Sequence, residues 1–484
     1  MTIQLIIIFK MLKKFDIILA TDSANGVGCH DVITDSYYVP WKSPKDMAYF
    51  RTITTYTEHP DRQNAIVMGF NTWLSIGKIL PNRHNVVITS RTIEGMETFK
   101  SFDSALETLS ANILIDKIFV IGGAKLYETT FNHYCLNKVY LTTIDHDYKC
   151  NIHVSFDSQT FRKISEIPYI ENDTKLIFYQ YEKKTHDEEQ YLKIMQKILV
   201  MGTKKNARNG DTISLFDGSH MEFDMSNGKL PVLTTKRIFL RGVFEELMFF
   251  ITGDTNTNHL KEKGVVIWTA NTTREFLDSV GLTKYEPGDI GTAYSFQFRH
   301  YGAEYEGMHC DYKGKGVDQF SKVINDLITN RFSRRVLMTT YNPAQVDKGP
   351  LPPCHGIVIQ FGIEDDNKLS CHMYQRSADW FLGVPWNITS YALMLLIVIE
   401  LVNNSPLYTG PKIVPHKLLM SFGDIHLYAN SVDAAKKQIA RIPFEFPTIE
   451  FVKKITRLDE LEWTDIKINN YKCAPNDFGV VMMA

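Results

Sequence analysis

Apolar positions along the chain follow two different patterns, one after the other. As far as about residue 184, short β-branched runs such as KFDIILAT, QNAIVMGF and KIFVIGG alternate with segments that have helical spacing. Strands that alternate with helices predict a mostly parallel sheet with helices on both faces. We therefore predict an α/β fold for this part, with ligands bound at the carboxyl ends of its strands.

The remainder of the chain has longer helical patterns and one hairpin. Helical spacing runs through RGVFEELMFFITG, VDQFSKVINDLITN and SYALMLLIVIELV. Alternating apolar strands flank Asp365–Asn367, which predicts a hairpin that turns at those residues. Long helices beside an antiparallel hairpin predict an α+β fold.

A short charged stretch, EKKTHDEEQ, separates the two patterns. We predict an N-terminal extension over residues 1–13, the α/β domain over residues 14–184, a charged linker over residues 185–190 and the α+β domain over residues 191–484. Each domain is long enough to bury a core of its own.

Composition narrows the functional classes. The 484 residues carry a formal net charge of −2, so no overall basic field implies a nucleic-acid partner. The longest apolar run, Ala392–Val402, is too short to span a bilayer, and we predict a buried core helix instead of a membrane span. The seven cysteines are odd in number and scattered without CxxC pairs, which predicts neither a disulfide framework nor a metal site.

The N-terminal residues contain no recognised targeting signal. Their apolar run, Leu5–Phe9, is shorter than the roughly 7–15 residues of a secretory signal, and no small-residue cleavage site follows it. The scattered cysteines fit a reducing compartment. We therefore expect a cytoplasmic protein.

Cys354 and His355 are adjacent in LPPCHGIVIQFG, which raises three alternatives: a nucleophile beside its base, a metal-ligand pair or a buried thiol. Neighbouring side chains in a strand point to opposite faces, which argues against the first two as a pair. The hairpin, with one bulge, returns Arg376 beside Cys354. A guanidinium there would lower the pKa of the thiol and favour a thiolate. An inert buried thiol remains the alternative at this point.

Small and polar residues mark strand ends in the first part. Gly122 and Gly123 follow a strand and open a helical segment, where backbone N–H groups can approach a phosphate; a plain turn is the alternative. MGFNTW forms a second such junction. Ser90 and Arg91 end a third strand with a hydroxyl and a guanidinium, both suited to a phosphate. Together the three junctions favour a phosphate-bearing ligand.

Asp46 lies in the first turns of a helical segment, PWKSPKDMAYF. One interpretation is an acid that stabilises the positive end of the helix dipole. The other is a proton donor in an apolar cleft, with its pKa raised by burial beside Trp41, Met47 and Phe50. The residues alone leave both open.

Six motifs of the first part occur in the order seen in dihydrofolate reductase: NGVG, PWKSPKDMAYF, MGFNTWLSIG, LPNRHNVVITSR, FVIGGAKLY and VYLTTID. Residues 14–183 resemble that family, which implies reduction of dihydrofolate to tetrahydrofolate by NADPH. By the resemblance, Asp46 holds the pterin and supports protonation of N5, and Thr142 hydrogen-bonds its carboxylate. Phe50 packs on the pterin and Arg83 binds the α-carboxylate of folate.

The resemblance also implies two sets of ligand contacts. The folate set is Ile18, Ala20, Asp46, Phe50, Arg83, Ile121 and Thr142. The NADPH set is Ala20, Val27, Gly28, Gly69, Asn71, Thr72, Ser90, Arg91, Gly122, Gly123, Ala124, Lys125 and Leu126. The segment Cys29–Val39 is longer than the family's usual loop. Phe70 stands where a basic residue often binds the 2′-phosphate of NADPH, so selectivity for NADPH rests on Arg91 and Ser90.

The second part resembles thymidylate synthase over residues 188–484, through RGVFEELMFFITGDTN, LPPCHG, LSCHMYQRSADWFLGVPWNITSYAL and FGDIHLYANSV. The pair on one chain, reductase first, resembles the bifunctional enzymes of protists and plants. The resemblance implies methylation of dUMP to dTMP by 5,10-methylenetetrahydrofolate. It also implies a homodimer formed through the second domain, in which Arg334 and Arg335 reach the phosphate of dUMP across the interface.

Residue roles follow from this second resemblance. Cys354 adds to C6 of dUMP and Arg376 activates the thiol; Asn387 reads the N3–H and O4 edge of uracil. Glu246 organises proton transfers through water, while Tyr294 and His355 help to remove the C5 proton. The implied dUMP contacts are Arg208, Arg334, Arg335, Arg376, Ser377, Asp379, Asn387, His426 and Tyr428. The implied folate contacts are Trp268, Asn271, Asp379, Leu382 and Gly383.

Two rival functions remain for the second domain. A deoxycytidylate hydroxymethylase shares the fold, but cytosine presents a donor where uracil presents an acceptor, so an acidic residue would be expected in place of Asn387. A non-catalytic binding homologue would not require Cys354, Arg376 and Glu246 together. Thr269 and Glu222 depart from the family pattern, as does the context of Tyr294, and bear on folate affinity and closure more than on the reaction.

Overall fold

The computed structural model describes residues 12–480, apart from residues 132, 134, 185, 208 and 209. Most of the predicted extension and Arg208 therefore lie outside the described residues. The chain forms two compact units, which join in sequence at residues 185 and 186.

The N-terminal unit is built on one eight-stranded sheet. The strands of the unit are β1 Phe15–Thr21, β2 Gly26–Asp31, β3 Ser36–Tyr38, β4 Gln63–Gly69, β5 Arg83–Ile88, β6 Glu97–Phe99, β7 Ile115–Val120, β8 Leu136–Ile144, β9 Ile152–His153, β10 Phe161–Glu171 and β11 Thr174–Lys183, of which β2, β3 and β9 form a separate three-stranded sheet. Its helices are α1 Pro44–Thr55, α2 Phe70–Ile76, α3 Phe102–Ala111 and α4 Ala124–Phe131. The sheet order is β10-β11-β8-β1-β7-β4-β5-β6.

The strands from β8 to β6 in this order are parallel, whereas β10 and β11 are antiparallel. Strands β1, β4 and β7 are buried along nearly their whole length, because a parallel sheet has helices on both faces. The predicted α/β fold is confirmed. The carboxyl ends of these strands lead into α2 and α4 along one edge of the sheet.

The long segment Cys29–Val39 forms a β-hairpin. Strand β2 pairs with β3 on one side and with β9 on the other. Inside the hairpin, the ring of His30 stacks on Tyr37 with centroids 4.3 Å apart, and His30 Nε2 lies 2.8 Å from Asp35 Oδ1. The extra residues therefore give ordered structure, which the sequence pattern did not predict.

The C-terminal unit combines a seven-stranded sheet with a long buried helix. The strands of the unit are β12 Thr203–Ala207, β13 Gly210–Phe216, β14 His220–Asp224, β15 Leu337–Met338, β16 Val358–Glu364, β17 Lys368–Asp379, β18 Val414–Tyr428, β19 Thr448–Phe451 and β20 Ile466–Asn469, of which β19 and β20 form a separate two-stranded sheet. Its helices are α5 Glu188–Met201, α6 Leu240–Thr252, α7 Asn258–Glu262, α8 Arg274–Ser279, α9 Tyr294–His300, α10 Gln319–Thr329, α11 Gly383–Asn403 and α12 Val432–Ile439. The main sheet has the order β12-β13-β18-β17-β16-β15, and β14 also pairs with β18.

Two predictions for this unit are confirmed. The hairpin of β16 and β17 turns at Asp365 and Asp366, whose φ angles of 47° and 70° suit a tight hairpin turn. Helix α11 is the one helix in the described part of the chain that is long and apolar enough to cross a membrane. However, 89% of its most apolar window is buried inside the fold, as expected for a core helix.

Helix α5 begins at Glu188, so it includes the end of the predicted charged linker. The side chain of Glu188 is fully buried. Its two carboxylate oxygens accept hydrogen bonds from the backbone N–H and hydroxyl groups of Thr234 and Thr235, at 2.6–2.8 Å. Four charge-assisted bonds compensate the desolvation of this carboxylate and fix the loop before α6.

Replacement of Glu188 by Gln should lower the free energy of unfolding of this unit by about 3 kcal/mol or more. The NH₂ group of Gln would replace one carboxylate oxygen, so buried donors of Thr234 or Thr235 would lose their acceptor. Urea-induced unfolding of the full chain measures the change. Glu189→Gln is the matched control, because that side chain, which is 17% exposed, forms an ion pair with Lys193 one turn along the helix, at 3.0 Å. The control should change stability by about 0.5 kcal/mol or less. Equal effects of the two substitutions would contradict the prediction.

Candidate active sites

A cavity of about 1450 Å³ opens at the carboxyl ends of the strands in the N-terminal unit. Most of the predicted ligand contacts lie in its wall: Ile18, Ala20, Val27, Gly28, Asp46, Phe50, Gly69, Asn71, Thr72, Ile121, Gly122, Gly123, Ala124, Lys125 and Leu126. Four others do not line it: Arg83, Ser90, Arg91 and Thr142. The wall also contains residues that the sequence did not indicate, among them Tyr37, Tyr38, Lys78, Thr89, Lys100 and Tyr127.

Asp46 lies in the first turn of α1, where the hydroxyl of Ser43 accepts a hydrogen bond from its backbone N–H at 3.0 Å. Burial raises the pKa of the carboxyl group, and the hydrogen bond with Thr142 lowers it by less. The predicted direction is confirmed, as is the contact with Thr142. Trp41 is buried, whereas the side chain of Met47 is 62% exposed and lines the same cavity.

The two glycines that precede α4 line the cavity close to Thr72. Gly122 has a φ of 130°, and a Cβ atom on it would lie 3.1 Å from the hydroxyl of Thr72. A Cβ atom on Gly123 would lie 3.0 Å from the same hydroxyl. Bare backbone at a helix N-terminus is the arrangement that binds a pyrophosphate. These residues therefore fit a dinucleotide.

Two predicted contacts lie beside the cavity. The guanidinium of Arg91 lies 4.4 Å over the ring of Phe70, which does line the cavity. This cation–π contact places a positive charge next to the position where a basic residue was expected. Arg83 is buried at the start of β5, donates to the hydroxyl of Thr54 at 2.9 Å, and lies 5.8 Å over Phe50. Both arginines are therefore close to predicted contacts.

In the C-terminal unit, the structure brings Arg376 beside Cys354, as the hairpin predicted. The backbone N–H of Arg376 donates to the carbonyl of Cys354 at 2.9 Å. Its side chain donates from Nε to the carbonyl of Pro353 at 2.8 Å and from Nη2 to that of Pro352 at 3.1 Å. The guanidinium therefore fixes the two prolines that lead into the cysteine.

Arg376 is only one of several influences on the pKa of the Cys354 thiol. The guanidinium and the hydroxyl of Tyr294 both lower the pKa of Cys354, but desolvation by burial is larger and raises it overall. The prediction of a lowered pKa is therefore wrong for the protein alone. The hairpin pattern contains no information about the desolvation of this thiol or about its contact with Tyr294 of α9.

Tyr294 and His355 form one cluster with the cysteine. Tyr294 Oη lies 3.3 Å from Cys354 Sγ and accepts a hydrogen bond from the backbone N–H of Cys354 at 2.8 Å. The ring of His355 stacks on Tyr294, with centroids 4.3 Å apart. His355 Nδ1 lies 2.8 Å from the hydroxyl of Tyr391, and burial lowers the pKa of His355 to about 3. A neutral imidazole turned toward Tyr391 is not the base for Cys354.

The backbone around Cys354 and His355 is not the strand that the sequence predicts. Strand β16 begins at Val358, so Cys354 and His355 lie in irregular backbone, and Gly356 has a φ of 63°. Strand alternation does not apply there. The stack on Tyr294 and the contact with Tyr391 separate the two side chains instead.

Glu246 is buried in α6 and carries a hydrogen bond on each oxygen. Oε1 accepts from Trp268 Nε1 at 2.8 Å and Oε2 from Trp386 Nε1 at 2.5 Å. Burial raises the pKa of Glu246 to about 7, although both indoles act in the opposite direction. The carboxyl group can therefore both accept and release a proton near neutral pH. Trp386 was not predicted, since an indole in an apolar helix is usually packing.

The turn before α11 and strand β18 carry further predicted contacts. Asp379 accepts hydrogen bonds from the N–H groups of Phe381 and Leu382 at 3.1 and 3.2 Å, which shapes the turn into Gly383. Asn387 Nδ2 donates to Gln375 Oε1 at 3.1 Å, and His426 Nδ1 lies 3.1 Å from Asp424 Oδ1. Gln375 and Asp424 were not predicted.

Asn271 is buried, and its Nδ2 has no hydrogen-bond partner in the part of the chain that the structure describes. An unpaired buried amide is costly unless a ligand supplies the acceptor. Asn271 follows Trp268 in one short helical turn, so both predicted folate contacts lie on the same segment. This orphaned donor fits a folate.

The remaining predicted dUMP contacts lie on β17, at the end of β18 and in the segment before β15. Ser377 is half-buried on β17, and Tyr428 ends β18. Arg334 and Arg335 are exposed in the segment before β15. Arg208 lies outside the described residues.

Comparison with known proteins decides between the alternatives. The family model described as dihydrofolate reductase matches residues 14–184, and the one described as thymidylate synthase matches residues 189–482. A putative bifunctional dihydrofolate reductase-thymidylate synthase of Oryza sativa subsp. japonica is 36% identical, over 90% of this chain and 96% of its own length. That of Leishmania major is 36% identical over 96% and 94%, and that of Glycine max 35% identical over 95% and 93%.

The chain belongs to the bifunctional dihydrofolate reductase–thymidylate synthase family. Its C-terminal unit is a thymidylate synthase, which methylates dUMP, and its N-terminal unit is a dihydrofolate reductase. NADPH is the cofactor of the reductase, and 5,10-methylenetetrahydrofolate is the co-substrate of the synthase. The hydroxymethylase and the non-catalytic homologue are not favoured.

Proposed function

We propose that Cys354 is the nucleophile of the synthase unit and that its sulfur attacks C6 of dUMP. The observation that carries this proposal is the convergence of Tyr294 Oη, 3.3 Å from Sγ, with Arg376, which is bonded to the same turn. Burial raises the pKa of the thiol and so favours its protonated form, which the reaction must convert into a thiolate. Tyr294 and Arg376 are then the groups that stabilise it.

Attack at C6 makes C5 of dUMP nucleophilic toward the one-carbon group. The folate co-substrate supplies that group, and the residues of this chain bind and move protons around it. The indole of Trp268 and the unpaired amide of Asn271 hold the folate, and Glu246 exchanges protons near neutral pH. Tyr294, stacked on His355, takes part in removal of the C5 proton. The sulfur leaves C6 as a hydride from the tetrahydrofolate ring reduces the transferred methylene to a methyl group, and the folate is released as dihydrofolate.

Asn387 reads the pyrimidine ring in this proposal. Its amide is buried in the first turn of α11 and donates to Gln375 Oε1 at 3.1 Å. A side-chain amide with a fixed orientation can pair with the N3–H and O4 edge of uracil. His426, oriented by Asp424, and Tyr428 bind the deoxyribose. Ser377 and the guanidinium of Arg376 bind the phosphate.

We also propose a homodimer, in which Arg334 and Arg335 complete the phosphate site of the partner. Both arginines are exposed, and the adjoining outer strands of the sheet expose Leu337 and Val358 by 44% and 41%. Phe332 beside them is 59% exposed. Exposed apolar side chains around cations on one face of a sheet favour an interface.

Mixed dimers test both the nucleophile and the interface. Cys354→Ala chains and Arg334→Ala/Arg335→Ala chains should each be inactive as synthases. After refolding together in equal amounts, they should regain about a quarter of wild-type synthase activity. About half of the dimers should then contain one chain of each kind, and each such mixed dimer has one complete site instead of two. Reductase activity is the internal control and should stay constant. No recovery in the mixture would contradict sites shared between subunits.

A cytoplasmic location completes the proposal. All seven cysteines are free thiols, and Cys354 must stay reduced to act. A reducing compartment preserves such thiols.

A further inference from the structure

The indole of Trp386 lies against α6 one helical turn before Glu246. The residue of α6 at that point is Gly242, which is buried. A Cβ atom on Gly242 would lie 2.8 Å from Trp386 Cη2 and 2.5 Å from Cδ1 of Phe239. A side chain of any size there would displace the indole. Gly242 and Trp386 therefore fit each other, and together they bring an N–H donor to Glu246.

The two indoles hold the carboxylate in one orientation. Trp268 Nε1 donates to Oε1 and Trp386 Nε1 to Oε2, so neither oxygen rotates without breaking a hydrogen bond. Trp386 belongs to the first turn of α11, immediately before Asn387. The hydrogen bond therefore links the acid of α6 to the helix that carries the residue proposed to read uracil.

We propose that Trp386 is a positioning residue of the synthase site, whose indole N–H holds the second oxygen of Glu246 against α11. This inference rests on the proposed role of Glu246 in proton transfer. Trp386 acts on the reaction through the carboxylate and not through the substrate.

Loss of the indole N–H of Trp386 should change the pKa of Glu246 in a definite direction. Hydrogen bonds from the indoles favour the ionised carboxylate, whereas burial favours the protonated form and raises the pKa of Glu246 to about 7. Without the bond to Oε2, burial has less opposition and the pKa rises further. A rise of about one unit would leave about fivefold less ionised Glu246 at pH 7. The ionisation in the pH profile of the reaction should move with it.

The test is the pH dependence of tritium release from [5-³H]dUMP at saturating 5,10-methylenetetrahydrofolate, with the full-length enzyme. In Trp386→Phe, the ionisation near pH 7 should move upward by about one unit. Trp463→Phe is the matched control: this indole packs on Phe244 of the same helix, with ring centroids 5.7 Å apart. Its profile should remain that of the wild type.

A second substitution separates the N–H from the shape of the ring. Replacement of Trp386 by 3-benzothienylalanine keeps the bicyclic ring and removes only the donor, so it should give the same upward shift with unchanged affinity for dUMP. A wild-type profile for this isostere would overturn the inference. Gly242→Ala, which displaces the ring, should move the ionisation in the same direction.

Glu246→Gln distinguishes failure of the inference from failure of the proposed role on which it rests. Loss of the ionisation in Glu246→Gln, together with an unmoved profile in the Trp386 variants, would overturn the role of Trp386 alone. Persistence of the ionisation in Glu246→Gln would overturn the assignment to Glu246, and the inference with it.

Discussion

Replacement of Cys354 by Ala should abolish tritium release from [5-³H]dUMP in the presence of 5,10-methylenetetrahydrofolate. Without the sulfur, C6 of dUMP has no nucleophile and C5 does not become reactive, so the rate should fall by at least about a thousandfold. The remaining contacts of the site persist, because Tyr294 and Arg376 also bond the backbone around residue 354. Binding of dUMP should therefore outlast the loss of turnover.

Cys310→Ala is the matched control for this experiment. Cys310 is an exposed free thiol, whose only hydrogen bond in the described part of the chain is to the carbonyl of Glu306 at 3.3 Å. Its removal should leave tritium release and NADPH oxidation unchanged. Tritium release at the wild-type rate in Cys354→Ala would refute the proposed mechanism.

The hairpin shows how far local pattern leads toward this site. Alternation on either side of Asp365–Asn367 was enough to place Arg376 beside Cys354, because register in a tight hairpin follows from the turn. The pattern did not show that Cys354 precedes the strand, nor that the hydroxyl of Tyr294 in α9 lies 3.3 Å from the thiol. Those facts depend on contacts between residues far apart in sequence, which no local period records.

In the reductase cavity too, local sequence predicts some features and not others. Strand–glycine–helix junctions predicted Gly69, Gly122 and Gly123, because backbone needs at such junctions are local. The length of Cys29–Val39 was evident, but its fold into a hairpin that brings Tyr37 and Tyr38 to the cavity was not. A long insertion between strands has no period that fixes its direction. The donor from Trp386 was missed for a related reason, since apolar spacing does not distinguish packing from hydrogen bonding.

Replacement of Asp46 by Asn should reduce dihydrofolate reduction at pH 7 by about a hundredfold or more, because the cavity then lacks the carboxyl group that we expect to support protonation of N5. The sign with pH follows from the raised pKa of this carboxyl. A donor must be protonated, so the wild-type rate should be high below this raised pKa and fall as the pH rises through it. Asp46→Asn cannot ionise there, so its low rate should lose that dependence.

The stability of Asp46→Asn should not fall with its activity. A measurement of stability therefore distinguishes loss of the catalytic group from unfolding of the variant. An acid whose pKa is higher in the folded than in the unfolded state makes folding less favourable as the pH rises through that interval. At neutral pH, Asp46→Asn should therefore unfold at the same temperature as the wild type or higher. Asp103→Asn is the matched control, since Asp103 also lies on the cavity wall but is 76% exposed. Steady-state NADPH oxidation across pH measures both variants, and an undiminished rate in Asp46→Asn at neutral pH would exclude Asp46 as the acid.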